Sequence, residues 1–333
     1  MAEPVPQTYA DAGVDLTGAD DAVRRLAPHA RSTFRPEVLS DIGSFGALTR
    51  VPSGYEEPVL VSATDGAGTK TLVADTLGRY DTIGIDVVAM CVDDIVCLGA
   101  EPLLFLDLIT VGRLDGDHIE ALVAGVASGC RQAGCALVGG EIAEHPDALG
   151  AEQWDIGGFA VGVVERRAVI DGPRHVAAGD AVVGLASTGL RCNGYSLARR
   201  LLLDDPAWHE ELLRPSVIYA PAVLDLVRNA DVHAVAHITG GGLPGNLCRV
   251  LPSSVDAVLL QGSWDVPPVF AEIQRRGDVA DDEMAAVFNL GIGMTVVVPA
   301  ATADAAVARL AGHGHTASVI GEVVEGAGVV RFA

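Results

Sequence analysis

The chain has 333 residues, half of them hydrophobic, and its 44 acidic residues against 22 lysines and arginines give a formal charge of -22. This length exceeds what one hydrophobic core usually serves, so we expect two domains that share a cleft. The negative charge argues against binding to nucleic acid or to an anionic membrane surface. The first residues show no signal peptide pattern, no uninterrupted apolar span is present, and the six cysteines form no CxxC pair. Together these features predict a cytoplasmic protein.

Strand-like and helix-like segments alternate along the chain after an N-terminal arm that we interpret as irregular. In the first half we predict strands at 58–63, 102–111, 135–139 and 154–164, and helices at 81–98 and 117–132. In the second half we predict strands at 181–186, 255–260, 294–298 and 318–324, a strand ending at 237, helices beginning at 195, 221, 243 and 267, and a helix at 302–312. This alternation predicts an α/β (α+β) fold. A polar connection at 165–179 places the domain boundary near residue 170.

An apolar run followed by Asp65-Gly-Ala-Gly-Thr-Lys70 is the most informative short segment. Glycines allow the backbone to approach phosphate oxygens, a lysine neutralises their charge, and an aspartate at a strand end can bind Mg²⁺. The segment lacks the spacing of a P-loop or of a GxGxxG motif. A tight turn before a helix is an equally good interpretation of these six residues alone, because Asp-Gly is a common turn dipeptide.

The predicted helix 81–98 carries Asp86, Asp93 and Asp94 among apolar residues and contains no lysine or arginine to pair with them. A solvated acidic face is the usual meaning of such a pattern. Because the three carboxylates repel one another, a Mg²⁺ site shared with Asp65 is the interpretation that we favour. The glycines of Gly139-Gly-Glu141 similarly expose a carboxylate after a predicted strand.

Three glycine-containing turns in the second half are candidates for ligand contacts. His237-Ile-Thr-Gly-Gly-Gly242 leads into a predicted helix, where free backbone amides can hold an anion, although a flexible turn is the alternative. Asn193 and Asn289 lie in the other two turns. Each of these amides could bind a ligand or cap a turn.

Motifs along nearly the whole chain resemble one enzyme family. They occur in the order 9–15, 35–38, 44–48, 65–70, 81–86, 99–102, 139–141, 193–197, 237–242, 291–294 and 320–322. Together they closely resemble aminoimidazole ribonucleotide synthetase, also called phosphoribosylformylglycinamidine cyclo-ligase, of purine biosynthesis. The related kinases and synthetases that make thiamine diphosphate or selenophosphate fit the motif set poorly.

The resemblance implies two domains, an N-terminal mixed-sheet domain (1–170) that binds ATP and metal and forms a homodimer, and a C-terminal α/β sandwich domain (171–333) that closes the substrate cleft. It implies that ATP, with Mg²⁺, phosphorylates the formamide oxygen of formylglycinamidine ribonucleotide, after which an amidine nitrogen closes the imidazole ring. It further implies catalytic roles for Asp65, Lys70, Asp94 and Glu141, with Asp65, Asp94 and Glu141 as metal ligands. Nucleotide contacts are expected from Asp65, Gly66, Gly68, Thr69, Lys70, Asp86, Asp94, Gly139, Gly140 and Glu141. Substrate contacts are expected from Ser44, Phe45, Gly46, Arg191, Asn193, His237, Thr239, Gly240, Gly241 and Asn289.

The chain departs from the family pattern at several presumed cleft positions. Ile142 and His145 replace a threonine and a methionine, Arg191-Cys192 replaces His-Ser, Asp93 replaces an asparagine, Leu290 replaces a cysteine, and Arg31-Ser32 replaces a basic pair. Replacing histidine by arginine removes a titratable base and installs a fixed cation. The departures leave two alternatives open, a paralogue that activates an amide-like oxygen on another substrate, and a non-catalytic nucleotide-binding relative.

Overall fold

A computed structural model of the chain describes Thr8 and residues 12–333. Residues 9–11 of the first family motif lie outside the described residues. The sequence predicted an irregular N-terminal arm, but this prediction is wrong for the segment that follows, which forms the helix α1 (Leu16–Arg31). The Asp15 side chain caps α1 by accepting a hydrogen bond from the Gly18 amide at 2.9 Å. The helix was missed because its buried side chains are mainly alanines, whose periodicity is weak.

The first half of the chain folds into a four-stranded sheet with helices on one face. Its strands and helices are β1 (Pro58–Gly66), α2 (Thr71–Leu77), α3 (Asp81–Val96), β2 (Glu101–Val111), α4 (Gly116–Ala133), β3 (Ala136–Glu144) and β4 (Trp154–Glu165). The strand order is β1-β4-β2-β3. The β2–β3 pair is parallel and the other two pairs are antiparallel, so the sheet is mixed.

Helices α3 and α4 pack together on the inner face of this sheet. The contact is so close that a Cβ added to Gly84 would lie 2.2 Å from the Val126 amide nitrogen, so glycine is required there. The described residues place no such pair of helices over the outer face. Leu60, Leu108 and Phe159 on that face are 61%, 52% and 40% exposed. Apolar side chains at this exposure mark a surface suited to a partner.

The second half folds around a six-stranded sheet. Its elements are α5 (Gly172–His175), β5 (Asp180–Ala186), α6 (Tyr195–Leu202), α7 (His209–Leu213), α8 (Ala220–Asn229), β6 (Ala234–His237), α9 (Gly242–Leu247), β7 (Val255–Leu259), α10 (Pro268–Gly277), α11 (Asp281–Val287), β8 (Ile292–Pro299), α12 (Ala303–Gly312), β9 (Ala317–Glu325) and β10 (Val330–Phe332). The strand order is β10-β7-β9-β5-β8-β6. The short edge strand β10 was not expected from the sequence.

One hydrophobic cluster extends from the helices of the first sheet into those of the second. It includes Val92 and Ile95 of α3 as well as Tyr219 and Ala222 beside them in the second half. An apolar contact of this kind restrains movement of one half against the other. Within the part of the chain that the structure describes, no helix combines the length and apolar character needed to cross a bilayer.

Candidate active site

A cleft of about 690 Å³ opens between the two halves of the chain. Its walls come from β1, the end of α3, residues 169–173, β6 and residues 246–250. Four side chains in these walls are charged or can be, namely Asp94, Asp171, His237 and Arg249. The cleft therefore has the position and the polar groups expected of a site for an anionic substrate.

Asp94 and His237 form a hydrogen-bonded pair across the cleft. Asp94 Oδ1 lies 2.8 Å from His237 Nδ1, and the Asp94 side chain is 45% exposed whereas that of His237 is 2% exposed. His237 Nε2 lies 3.1 Å from Arg191 Nη2. Because a guanidinium can only donate, Nε2 accepts and the proton of the neutral imidazole resides on Nδ1. Both ring nitrogens are thus engaged, and His237 holds Asp94 in position instead of acting as a free base.

Asp65 lies at the end of β1, near Asp94. Its Oδ1 accepts a hydrogen bond from the Gly66 amide at 2.7 Å. Burial raises the pKa of Asp65, and the negative charge of Asp94 raises it further. Two neighbouring carboxylates that each use one oxygen in a hydrogen bond match a Mg²⁺ ion, which usually takes one or two carboxylates and completes its shell with water and phosphate.

Lys70 and Asp86 do not face the cleft, contrary to their expected contacts with the nucleotide. Both side chains are fully buried, and Lys70 Nζ lies 2.6 Å from Asp86 Oδ2. Lys70 also donates to the Arg214 carbonyl at 2.7 Å, and Asp86 Oδ1 accepts from the Ser216 amide and hydroxyl at 2.7 and 2.6 Å. The pair is a buried connection between the halves, since an ammonium without solvent access must be neutralised locally.

Arg191 and Asp93 form a second buried pair between the halves. Arg191 Nη2 lies 2.8 Å from Asp93 Oδ2, and the two side chains are 1% and 0% exposed. Asp93 Oδ1 accepts from the Tyr219 and Ala220 amides at 2.9 and 3.1 Å, and the guanidinium lies 4.8 Å from the centre of the Tyr219 ring. Asp93 therefore does not lie on a solvated face, and the Arg191 side chain is not exposed to the cleft. The role of Arg191 as a substrate contact stays a prediction. Two departures from the family pattern contact each other here.

The glycine-containing turns are mostly held by their own packing. Asn289 is buried, donates to the Gly189 carbonyl at 2.9 Å and accepts from Ser187 and Gly291, so it stabilises a turn. Its role as a substrate contact stays a prediction. A Cβ on Gly242 would lie 1.9 Å from the Ala285 carbonyl oxygen, which explains that glycine without a ligand. Other residues of these turns, Asn193, Thr239, Gly240 and Gly241, remain partly or fully exposed.

Glu141 does not meet Asp65 and Asp94 within one chain. The strand β3 continues to Glu144, so Glu141 lies inside an edge strand and not after a strand end. In the strand register, Asp65 lies opposite Gly158 of β4, Gly158 lies opposite Asp107 of β2, and Asp107 lies opposite Gly140 of β3. Three strand spacings therefore separate Asp65 from Gly140, the neighbour of Glu141. At about 4.8 Å a strand this is about 14 Å. Among the described residues, no three His, Cys, Asp or Glu side chains gather as a metal site.

The remaining predicted residues lie near the surface. Ser44, Phe45 and Gly46 form the exposed tip of a hairpin closed by the bridge between Val38 and Thr49. The Phe45 side chain contacts solvent over its whole surface. In the turn after β1, Gly68 adopts a φ of 57°, and the Thr69 hydroxyl lies 3.3 Å from that of Ser196. Their roles as nucleotide or substrate contacts stay predictions.

Sequence reasoning missed two residues of the cleft. Arg249 is exposed there, and no carboxylate of the described residues pairs with it. Asn246 donates to the Thr239, Gly240 and Gly242 carbonyls at 3.3, 3.2 and 2.8 Å and so fixes the glycine turn. Arg249 could have been found, because it is the only charged side chain between His237 and Asp256.

Comparison with known proteins agrees with the resemblance read from the motifs. The family models described as AIR synthase related protein, N-terminal domain and C-terminal domain, match residues 44–164 and 177–332. Phosphoribosylformylglycinamidine cyclo-ligase of Trichlorobacter lovleyi is 47% identical over 330 residues, which cover 95% of this chain and 94% of that protein.

Two solved structures share the fold. Thiamine-monophosphate kinase from Stenotrophomonas maltophilia has a TM-score of 0.69 at 22% identity over 96% of each chain. The hydrogenase maturation protein HypE in complex with ATP has a TM-score of 0.69 at 20% identity, over 97% of this chain and 93% of that one. The predicted two-domain α/β fold and the family resemblance are both confirmed, and the chain belongs to the AIR synthase related protein family.

Proposed function

We propose that this protein converts formylglycinamidine ribonucleotide to aminoimidazole ribonucleotide, with hydrolysis of ATP to ADP and phosphate. The observation that carries the proposal is the near full-length identity to the curated cyclo-ligase. In this reaction the γ-phosphoryl group of ATP moves to the formamide oxygen of the substrate. An amidine nitrogen then attacks the activated carbon and gives up a proton, the ring closes, and phosphate leaves.

The cleft offers two groups of residues for this chemistry. Asp65 and Asp94 would hold Mg²⁺ on one wall through their free oxygens. When bound, the metal would offset the negative charge of the phosphoryl group in transfer. Arg249 faces the same cleft from the second half and would bind the 5′-phosphate of the ribonucleotide as a fixed cation. His237 keeps the Asp94 carboxylate oriented, and no side chain is needed as a covalent nucleophile.

We also infer a homodimer formed through the outer face of the first sheet. Leu60, Leu108 and Phe159 project from this face, and an exposed apolar sheet face is usually covered by a partner. Glu141 pairs with Leu108 in the strand register, so it would lie at this interface. The proposed role of Glu141 as a metal ligand therefore requires the second copy. We place the reaction in the cytoplasm, as composition predicts.

The structure also bears on the alternative of a paralogue with another substrate. Asp93, Arg191 and Cys192 depart from the family pattern but are buried at the contact between the halves, where they pack against each other and against Ser216. They therefore alter the internal contact instead of the substrate surface. This favours the purine substrate over another amide.

The decisive assay incubates the purified protein with ATP, Mg²⁺ and formylglycinamidine ribonucleotide and follows ADP together with the aminoimidazole product. We expect stoichiometric formation of both. ATP turnover on other amides alone would identify a paralogue, and ATP binding without any turnover would identify a non-catalytic relative. Asp65→Asn should lower kcat at least 100-fold, since one metal ligand is lost; unchanged turnover would count against the proposed metal site.

Arg249 allows a matched comparison. We expect Arg249→Ala to raise the KM for the ribonucleotide at least tenfold, because one charge-assisted contact with phosphate is lost. Arg174→Ala, at an exposed position near the same cleft, serves as the control and should leave this KM within twofold. Equal effects of the two variants would show that Arg249 contributes only general charge.

A further inference from the structure

One carboxylate of the cleft, Asp171, has no part in the proposed metal site or the phosphate contact. The other ionisable groups that line the cleft are engaged or cannot accept a proton. His237 uses both ring nitrogens, Asp94 bonds to His237 and faces the proposed metal, and Arg249 is a cation that can only donate. Burial raises the pKa of the Cys97 thiol well above its usual value, so Cys97 stays protonated. Asp171 is thus the cleft residue available as a proton acceptor.

Asp171 lies in the connection between the halves and is held against both walls of the cleft. On one side of it, the Ile170 amide donates to the Leu98 carbonyl at 3.3 Å, just beyond the end of α3. On the other side, a Cβ added to Gly172 would lie 2.4 Å from the Val250 carbonyl oxygen. Glycine therefore lets the connection pack directly on the segment of the second half that follows α9. Asp171 is fixed at the point where the two walls meet.

The side chain of Asp171 is not required by the local fold. Asp171 precedes α5, but its carboxylate does not cap that helix. Its one side-chain contact with the described residues is an ion pair in which Oδ2 lies 3.0 Å from Arg174 Nε. The Arg174 side chain is 80% exposed, and such surface pairs contribute little to stability. The carboxylate, which is 36% exposed, can therefore bind a ligand in the cleft.

The order of groups in formylglycinamidine ribonucleotide matches the order of residues in the cleft. The phosphate at one end would contact Arg249, and the formamide at the other end would lie at the wall of Asp65 and Asp94. The amidine lies between these ends, because one of its nitrogens bears the ribose and its carbon bears the methylene group that leads to the formamide. Asp171 lies between the same two walls. A protonated amidine offers a carboxylate two parallel N–H donors, as a guanidinium does.

We propose that Asp171 is a catalytic residue of the ring closure, which binds the amidinium group of the substrate and accepts its proton. The inference rests on the proposed function, which supplies this substrate. It goes beyond that function by assigning the proton acceptor.

The ring closure starts after the formamide oxygen has received the phosphoryl group and the formamide nitrogen has released its proton to solvent. The amidine nitrogen that bears the ribose gives its N–H proton to the Asp171 carboxylate, and its electron pair forms a C–N bond to the formyl carbon. The C–O bond of that carbon breaks, and phosphate leaves with the bonding electrons. Loss of a proton from the methylene carbon to solvent then yields the aromatic aminoimidazole. The partly exposed Asp171 returns its own proton to solvent.

Asp171→Asn tests this role, because an amide of the same size cannot act as a carboxylate base. General base catalysis contributes about 10²–10⁴-fold, so formation of the aminoimidazole should fall at least about 100-fold at saturating ribonucleotide. Formation of ADP in a single turnover, stopped with acid, should stay within about threefold of the wild type, because phosphoryl transfer comes first. An equal loss of ADP and aminoimidazole would assign Asp171 to an earlier step and overturn the proposal. Unchanged formation of the aminoimidazole would overturn it as well.

Arg174→Ala is the matched control, since it removes the ion-pair partner of Asp171 and keeps the carboxylate. It should leave formation of the aminoimidazole within about twofold of the wild type. A loss as large as that in Asp171→Asn would show that the ion pair matters and not the proton acceptor. Circular dichroism of each variant verifies that it is folded.

Binding tests the amidine contact without turnover. The two ligands are formylglycinamidine ribonucleotide and its amide counterpart, in which a carbonyl oxygen replaces the imine nitrogen and the positive charge is absent. Calorimetry on the full chain should show that the wild type binds the amidine at least about tenfold more tightly, because a charge-assisted contact is present. Asp171→Asn should bind the two ligands within about threefold of each other.

Failure of the proposed function can be recognised separately. A wild-type protein that forms no aminoimidazole would refute that function, and the binding comparison then decides the role of Asp171. Loss of the preference for the amidine in Asp171→Asn would support the contact with Asp171. Equal affinity of the wild type for the two ligands, or a preference that Asp171→Asn retains, would refute it whatever the reaction.

Discussion

The buried ion pair between Arg191 and Asp93 joins the two halves of the chain, and removing one partner should cost more than removing both. Arg191→Met keeps most of the side-chain volume but leaves the Asp93 carboxylate without its cation at a position that is 0% exposed. Asp93→Asn leaves the guanidinium without its anion. The double variant contains neither charge, and the asparagine can still accept from the Tyr219 and Ala220 amides.

The expected magnitudes follow from burial. Breaking a buried pair on one side costs about 3–5 kcal/mol, whereas neutral replacement of both partners is often close to neutral. Each single variant should therefore lose a large part of a total stability of about 5–15 kcal/mol. We expect the double variant within about 2 kcal/mol of the wild type, because the losses are limited to the contact of Arg191 with the Tyr219 ring and its hydrogen bond to His237 Nε2. The coupling between the two positions is then at least about 3 kcal/mol.

Urea unfolding followed by circular dichroism measures these free energies. Arg228→Met is the matched control, because Arg228 also joins the halves through Glu101 but its side chain is 56% exposed. It should change stability by no more than about 1 kcal/mol. Single variants that behave like this control, or a double variant whose loss equals the sum of the two, would show that the pair contributes no specific coupling.

Three further predictions follow from the same structure. Lys70→Met should destabilise the protein by about 3–5 kcal/mol, because it leaves the buried Asp86 carboxylate without a cation. The double variant Lys70→Met with Asp86→Asn should recover stability and keep the KM for ATP within twofold. A tenfold higher KM for ATP in the double variant would instead support Lys70 as a phosphate contact. Leu60→Asp should convert the dimer to a monomer in analytical ultracentrifugation. Leu260→Asp is the control, because Leu260 is 47% exposed but lies on the second half, and it should leave the dimer intact. A monomeric wild-type protein would refute the proposed interface. The pKa of Asp107, about 7 against an ordinary 3.8, makes its protonated form stabilising, so unfolding free energy should fall by roughly 3 kcal/mol between pH 5 and pH 8. Asp107→Asn should remove that contribution; an equal fall in this variant would assign it to other groups.

The elements of the sheets could be predicted because their apolar periods are strong. The predicted helix 81–98 and strand 102–111 differ from α3 and β2 by no more than two residues at either end. The first helix could not be recognised, because alanines and charged residues dominate it and its stability depends on the contact with α4. Arg25 of α1, for example, forms ion pairs with Asp117 and Glu120, and the order of residues alone does not reveal such partners.

The site was predicted less well, and the reason is long-range pairing. No lysine or arginine lies within 81–98, yet Asp86 and Asp93 have cationic partners, which are Lys70 and Arg191. Spacing along the chain cannot show such contacts. Asp65 and Glu141 appeared equivalent because each is a carboxylate near glycines. The strand order, which places two strands between theirs, separates them.

The helix α3 thereby acquires two different functions along one stretch of nine residues, 86–94. Asp86 and Asp93 each bind a separate segment of the second half, at Ser216 and at Arg191, and both are inaccessible to solvent. Asp94 follows directly, but it contacts the second half through His237 and keeps nearly half of its surface in the cleft. Because adjacent residues on a helix point about 100° apart, the same turn can fix the second half with one carboxylate and present the next to ligand. Asp94 is therefore positioned by the contacts that close the cleft, so variants of Arg191 should reduce catalysis through the orientation of His237 even where the protein stays folded.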